Sequence, residues 1–417
     1  MRPLICLALF VALAPSAGAA TCSRHPDGLH LADGICATVF AQEVGPARHL
    51  AVRRNGDVYV LLSAPRHGGA VVVLHDDDGD GRADRSARFG AAGGTGIAIR
   101  GTALYVGTDR RVLRYRLVPD RMTPATGPEV IATGFPRQTQ HAAKSLALDG
   151  HGHLYANVGA PSNACQRRDR RPGSPGHDPC PQRARHAGIW RFSTGRTDQA
   201  QADAVHFARG IRNAVALAWD RDDGSLWAVQ QGRDQLHQLW PHLYDARQGA
   251  ELPAEELLRV HRDDDFGWPY CYYDGGLGRR VLAPEYGGDG ERAGRCRQFA
   301  SPAMAFPAHW APDDLLFYRG TSLGPRYRGG AFIAFHGSWN RAPLPQQGYK
   351  VVFVPFRDGG PAGQWQVFAD GFAGPGGIAS PGDARYRPVG LAESPDGALY
   401  VADSVRGRIW RFTSVPR

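Results

Sequence analysis

The chain has 417 residues with 53 glycines and 31 prolines, together about 20 % against about 12 % in average usage, a density of backbone punctuation that excludes a helix bundle or coiled coil. Hydrophobic residues make up 42 % and aromatics 10 %, which supplies a large core and excludes disorder. The formal charge is +9, but Lys144 and Lys350 are the only lysines and the arginines are spread along the chain without a basic tail, a pattern that excludes a nucleic-acid-binding protein.

Residues 1–20, MRPLICLALFVALAPSAGAA, place one arginine before an apolar run and end in small residues, the layout of a cleaved secretory leader. The run from Leu4 to Leu13 is shorter than the about 20 residues that span a bilayer, and no later stretch is longer. The expectation is a secreted, periplasmic protein that does not span the membrane. Loss of the leader removes Cys6 and leaves six cysteines out of 7, an even number that predicts disulfides in an exported chain. Neighbours in sequence pair most simply as Cys22 with Cys36, Cys165 with Cys180 and Cys271 with Cys296. No C-x-x-C occurs, so neither a zinc ribbon nor a c-type haem site is present in the sequence.

One unit then recurs: a glycine-bearing turn followed by a short alternating strand with an aromatic at a fixed place. Its copies are RNGDVYVLL around Tyr59, RGTALYVGT around Tyr105, GHGHLYANV around Tyr155, DDGSLWAVQ around Trp227, YRGGAFIAF around Phe332 and SPDGALYVA around Tyr400. A second short strand is read after each, at 71–74, 112–115, 189–192, 236–240 (LHQLW), 351–354 and 409–412. Six such sheets cannot each bury both faces alone, so the pattern predicts an all-β fold, a six-bladed β-propeller over residues 21–417 with loop insertions on one face. The strand in ICATVFAQEV is predicted to close the ring beside the last blade. Marker spacings of 46, 50, 72, 105 and 68 residues locate the insertions. One runs from Pro161 to Ala187 and another from Pro241 to Tyr327, the second with a helix predicted in PAEELLRV.

Candidate chemistry follows the same order. Asp76, Asp78, Asp80 and Asp84 occupy positions 1, 3, 5 and 9 of a loop with Gly81 at the turn, a spacing at which carboxylates converge on calcium, although Ala87 stands where a final Glu belongs. A solvated acidic hairpin is the plain alternative. His141, in QTQHAAKSLAL, is a candidate general base, with Lys144 placed to hold an anion or to depress the His141 pKa. Arg212 and Asn213, and Arg385 and Arg387, stand at corresponding places before later marker strands, and equivalent positions in a propeller converge at the axis. One imidazole among several guanidiniums suits a polyanionic cofactor and an acid–base step. No phosphate-binding glycine motif and no G-x-S-x-G elbow accompanies them.

HAAKSLALDGHGHLYANVGAPSN, ARGIRNAVALAWD, DDDFGWPYCYYD, AFHGSWNR and RYRPVGLAESPDGALYVADSVRGRIWRF together resemble the soluble pyrroloquinoline quinone (PQQ)-dependent sugar dehydrogenases, in particular their sorbosone dehydrogenase-like branch, from about Arg48 to Phe412. The resemblance implies PQQ and Ca²⁺ near the propeller axis and oxidation of an aldose or aldehyde sugar at C1. It casts His141 as the base, Arg212 and Asn213 as partners of the quinone oxygens, and Arg385 and Arg387 as partners of the PQQ carboxylates. Carbonyls near Gly232 and Arg233 would hold the calcium. Ala160 stands where the best-studied branch has an Asp that supports the histidine, and Arg341 is the substitute for its PQQ-binding lysine. With no haem, electrons would pass to ubiquinone or a separate cytochrome. A lactonase-type hydrolase and a non-catalytic glycan- or protein-binding propeller are the alternatives.

Overall fold

The computed structural model describes residues 22–416; the predicted leader lies outside them. Six four-stranded antiparallel sheets follow one another along the chain, two of them extended by a two-residue outer strand. Their innermost strands are Ala47–Val52, Gly96–Arg100, Leu146–Leu148, Ala216–Asp220, Pro312–Phe317 and Pro388–Glu393. Each packs against the next and the last against the first, which makes a closed ring.

All six marker aromatics lie on the second strand of a blade. Across the sheet they face Ala51, Ala98, Ala147, Ala218, Leu316 and Ala392 of the innermost strands. In five of the six blades the inner neighbour is alanine, which leaves the aromatic room to reach into the seam between blades; the fifth blade has Leu316 there. The core is accordingly six apolar wedges, one per seam, such as Phe40, Val60, Val72 and Val389 between the sixth and first blades and Trp227, Phe306, Phe335 and Val352 between the fourth and fifth. The last sheet takes its outer strand, Ile35–Ala41, from the N-terminal side of the chain, antiparallel to Ile409–Ser414 with Val39 opposite Trp410.

Two local expectations fail in the fourth blade. LHQLW is not a strand: Leu236–Leu239 is a helical turn whose two leucines are buried. The third strand of that blade is Glu255–Val260, inside the segment read as a helix, with Leu257 opposite Val229 and Leu258 opposite Ala228. Glu255 and Glu256 mimic the polar face of a helix but are buried. Glu255 accepts the Gly232 and Ala311 N–H groups, and Glu256 pairs with Arg280. Tertiary pairing overrides local propensity here.

The three expected disulfides form, Cys22–Cys36, Cys165–Cys180 and Cys271–Cys296. Since innermost strands all run away from one face and second strands return to it, residues 159–187, 231–254 and 336–349, which follow second strands, gather on that face. His141, Arg212 and Arg387, which precede innermost strands, lie there too. The Asp76–Asp84 loop joins the third and fourth strands of the first blade and is therefore on the opposite face. Among the described residues no helix is long and apolar enough to cross a membrane.

Candidate functional site

His141 sits in the loop entering the third blade with a left-handed φ of 52°. Gln138 Nε2 holds that conformation by donating to the carbonyls of Gln140, His141 and Gly159 at 2.8, 2.9 and 3.0 Å. A Cβ on Gly159 would lie 2.5 Å from His141 Cβ, so only glycine lets the ring lie where it does. The imidazole Nδ1 lies 2.7 Å from the Ala160 carbonyl oxygen. A carbonyl only accepts, so Nδ1 carries the proton and Nε2 presents a lone pair. Burial first and the Arg212 guanidinium second push the His141 pKa down to about 3. The support expected from an Asp side chain thus comes from the main chain of Ala160.

Arg212 is 3 % exposed and bound on every side. Its Nε donates to Asn163 O (3.2 Å), Nη1 to Gly232 O (2.7 Å), and Nη2 to Asn163 Oδ1 (3.0 Å) and Asp234 Oδ2 (2.7 Å). It acts on the site as a fixed charge. Asp234 also accepts from Arg170 Nη2 at 2.8 Å and from Asn340 Nδ2 at 3.0 Å. Burial alone would raise its pKa, but Arg212 and Arg170 outweigh that and hold it well below the usual carboxylate range.

A polar floor crosses the ring from this cluster. Asn157 Nδ2 donates to Asn213 Oδ1 (3.1 Å), Asn213 Nδ2 to Gln231 Oε1 (3.0 Å), and Gln231 Nε2 to Asp313 Oδ1 (2.9 Å). The other Asp313 oxygen faces Arg48 Nη2 at 3.4 Å and His336 Nδ1 at 3.8 Å. Arg387 donates from Nε and Nη2 to the carbonyls of His336 (2.9 Å) and Gly337 (2.8 Å). Beneath the floor, His49 reaches from the first blade to the Asp313 carbonyl at 2.6 Å and separates the site from an axial cavity of about 380 Å³ that His49 and Asp314 help to line.

The structure therefore brings His141, Arg212, Asn213 and Arg387 into one connected site. Arg385 does not join: it is exposed and donates to Asp27 O at 3.0 Å, because residues 384–386 have not yet entered the strand that starts at Pro388. Lys144 does not join either. It is fully buried, donates to Ala142 O at 2.6 Å and stands 5.6 Å from the Phe135 ring, where burial lowers its pKa to about 8. The charge that depresses His141 is Arg212, not Lys144. Arg341 spends its guanidinium on the carbonyls of Pro345, Ala250 and Ala308. The Gly232 carbonyl faces Arg212, and the Arg233 side chain pairs with buried Glu285. On the opposite face, Asp76, Asp78 and Asp84 offer oxygens within 4.8 Å of one another. Asp80 is outside that trio and accepts from the Arg82 N–H at 2.8 Å.

Sequence reading missed Arg48, Arg170, Gln231, Asp234, Asp313 and His336. Two of them carried a signal: Arg48 and Asp313 stand three residues before the inner partner of a marker aromatic, the offset at which Lys144 precedes Ala147. The whole arrangement offers a neutral base with a free lone pair beside a floor of cationic donors, and the buried Asn340 Oδ1 has no partner among the described residues.

A TrAA12-like family model matches residues 29–414. A pyrroloquinoline quinone-dependent pyranose dehydrogenase of Coprinopsis cinerea is 26 % identical over 285 residues, 57 % of this chain and 36 % of that protein. A pyrroloquinoline quinone-dependent sugar dehydrogenase of Hypocrea jecorina is 25 % identical over 219 residues, 48 % of this chain and 46 % of that protein. The chain thus spans less than half the length of these curated relatives. Among solved structures, the holo PQQ domain of the Coprinopsis cinerea pyranose dehydrogenase superposes with a TM-score of 0.74 at 20 % identity, covering 96 % of this chain and 99 % of that one. The PQQ-bound aldose sugar dehydrogenase of Streptomyces coelicolor gives 0.56 at 17 % identity, covering 92 % and 97 %. At these identities the structural likeness establishes the propeller fold.

Proposed function

We propose that this chain, which belongs to the TrAA12-like family, is an exported PQQ-dependent dehydrogenase that oxidises an aldose at C1, or an aldehyde sugar of the sorbosone type. The observation that carries the reading is His141, whose Nδ1–H is fixed on the Ala160 carbonyl while Nε2 is left without a partner among the described residues. PQQ is planar and carries three carboxylates, and the residues present fit it. Arg48 has donors left over from its contact with Asp313, and Arg387 Nη1 has no partner among the described residues. The unpartnered Asn340 Oδ1 is a neutral oxygen of the kind Ca²⁺ takes. When bound, PQQ supplies a quinone that accepts two electrons.

This chain's residues do the remaining work. His141 Nε2 takes the proton of the sugar hydroxyl. Arg212 keeps the imidazole neutral beforehand and, by repelling the imidazolium, makes the proton easy to release. Asp234 tempers that repulsion and holds Arg170 and Asn340 at the wall of the site. Arg48 and Arg387 bind the anionic groups of the cofactor with guanidinium donors suited to carboxylates. Ubiquinone or a separate cytochrome in the periplasm takes the electrons.

The test is addition of PQQ and Ca²⁺ to the purified protein, with dye reduction followed over a panel of aldoses and sorbosone. His141→Gln is expected to lower kcat by about 10²- to 10⁴-fold, the range of a lost general base, with PQQ affinity nearly unchanged. A folded protein that shows no PQQ-dependent turnover with any sugar overturns the reading.

A further inference from the structure

The disulfide-stapled insertion above the site has two chemically different sides. The sequence QRRDRR at 166–171 contains a single carboxylate, Asp169, which is exposed but has both oxygens engaged by neighbours of the loop. Oδ1 accepts from the Asn163 N–H and Oδ2 from Gln140 Nε2, each at 3.0 Å. Arg170 points inward, to Asp234 at 2.8 Å and to Gln235 Oε1 at 2.6 Å. Arg167, Arg168 and Arg171 are exposed, and their guanidiniums have no partner among the described residues. The segment therefore presents three cations without an ion-pair partner among the described residues against one exposed carboxylate, Asp169.

These cations stand on a fixed frame. Cys165–Cys180 closes the loop. Inside it, the Arg167 N–H bonds Pro175 O at 2.8 Å, the Arg168 N–H bonds Ser174 Oγ at 3.1 Å, and Gln166 Nε2 bonds the Arg171 and Ser174 carbonyls at 3.3 and 3.1 Å. Ordering costs on binding are paid in advance by such bracing. Beside the frame, Trp339 is 51 % exposed, with Arg170 Cζ 5.9 Å from its ring centre. Exposed tryptophan and arginine side by side are the residue types that dominate protein interfaces. The same loop touches Gln140, the neighbour of His141, so a partner seated on it lies against the wall of the site.

We propose that this outer side, centred on Arg167, Arg168 and Arg171, is the docking surface of an acidic one-electron-transfer protein. The inference rests on the dehydrogenase reading. Conversion of a C1–OH to C=O releases two electrons and two protons. Two acceptor proteins each take one electron in turn, and the protons pass to solvent. Carboxylates of the acceptor pair with these guanidiniums, which steers approach and fixes orientation. Small-molecule acceptors need no such surface.

The experiment uses acidic plant plastocyanin and basic horse cytochrome c as acceptors, each at low and at physiological salt. In parallel, plastocyanin is titrated by NMR against the cofactor-free protein. The wild type is expected to reduce plastocyanin faster than cytochrome c, with a rate that falls as salt rises. The Arg167→Glu/Arg168→Glu/Arg171→Glu variant is expected to lose plastocyanin binding and about 10-fold or more of the plastocyanin rate, the lower bound of electrostatic steering. Its dye turnover and sugar KM should stay those of the wild type. The triple glutamine variant should fall between the two. Equal rates with both acceptors, or unchanged plastocyanin binding by the glutamate variant, overturns the proposal. Binding of polygalacturonate without binding of plastocyanin also overturns it and assigns the surface to an acidic glycan. Absence of dye turnover would remove the dehydrogenase reading, whereas the binding titration reads the surface separately.

Discussion

The first two blades and the middle three share one four-stranded plan but keep their charges differently. In the first two, the pairs Arg85–Asp77 and Arg114–Glu129 stand in solvent, with side-chain exposures of 55 and 42 %, and 22 and 48 %. Around the third to fifth blades, the guanidiniums of Arg212, Arg233 and Arg280 are each 3 % exposed and face Asp234, Glu285 and Glu256. The difference lies in what covers the strand ends. In these outer pairs water reaches the charges; where a long insertion folds over the face, these three arginines are desolvated and each is held by a carboxylate. The propeller supplies position and the insertions supply the low-dielectric wall around His141 and Arg212.

The sharpest way to break this contrast is to orphan one buried charge. Asp234→Ala leaves Arg212 without its carboxylate and is expected to cost about 3–5 kcal/mol in urea unfolding, the loss seen when one partner of a buried pair is removed. The same change frees Arg170 and Asn340 from the wall.

A smaller effect follows from releasing the wall covalently. Replacing Cys165 and Cys180 by serine opens a loop with a sequence separation of 15, for which chain entropy assigns about 3 kcal/mol. Hydrogen exchange should show protection lost in residues 160–187 and retained in the first two blades.

A third effect, read against pH, sharpens the contrast at the axis itself. Asp314 accepts the Leu391 N–H at 2.7 Å across the seam between the fifth and sixth blades, and burial pushes its pKa up to about 8. The folded protein therefore keeps a proton that the unfolded chain releases above its ordinary value of 3.8. The contribution of Asp314 to stability falls as pH rises from there to about 8. Asp314→Asn should raise Tm over the wild type at pH 8 and leave it nearly unchanged at pH 4.

The blade count was legible because the aromatic of each second strand and the glycine-bearing turn before it repeat in every copy, a local pattern that sequence carries in full. The cysteine pairs were legible for the same reason, each joining near neighbours. The fourth blade misled because LHQLW and PAEELLRV have ambiguous local periods, and only pairing of Glu255–Val260 with Trp227 and its neighbours decides between them. His141, Arg212, Asn213 and Arg387 stand out in the sequence by their place before an inner strand. Arg385 and Lys144 share that signal, yet side-chain direction in a loop is set by contacts that adjacency in sequence does not encode. Asp234 acquires meaning only from Arg170, Arg212 and Asn340, which stand far from one another in sequence. Ala160 was read as the loss of a carboxylate, while its carbonyl, which any residue possesses, supplies the acceptor.

Closure of the ring has a consequence in time. The strand Ile35–Ala41 is among the first parts of the described chain to be made, and its partner Ile409–Ser414 is the last. The two must meet across almost all of the described residues, so the loop-closure entropy is met only after Ile409–Ser414 has been made. Until then one seam has a missing wall, and the six wedges of apolar packing cannot be continuous. Once the ring is closed, Cys36 on the closing strand is fixed to Cys22.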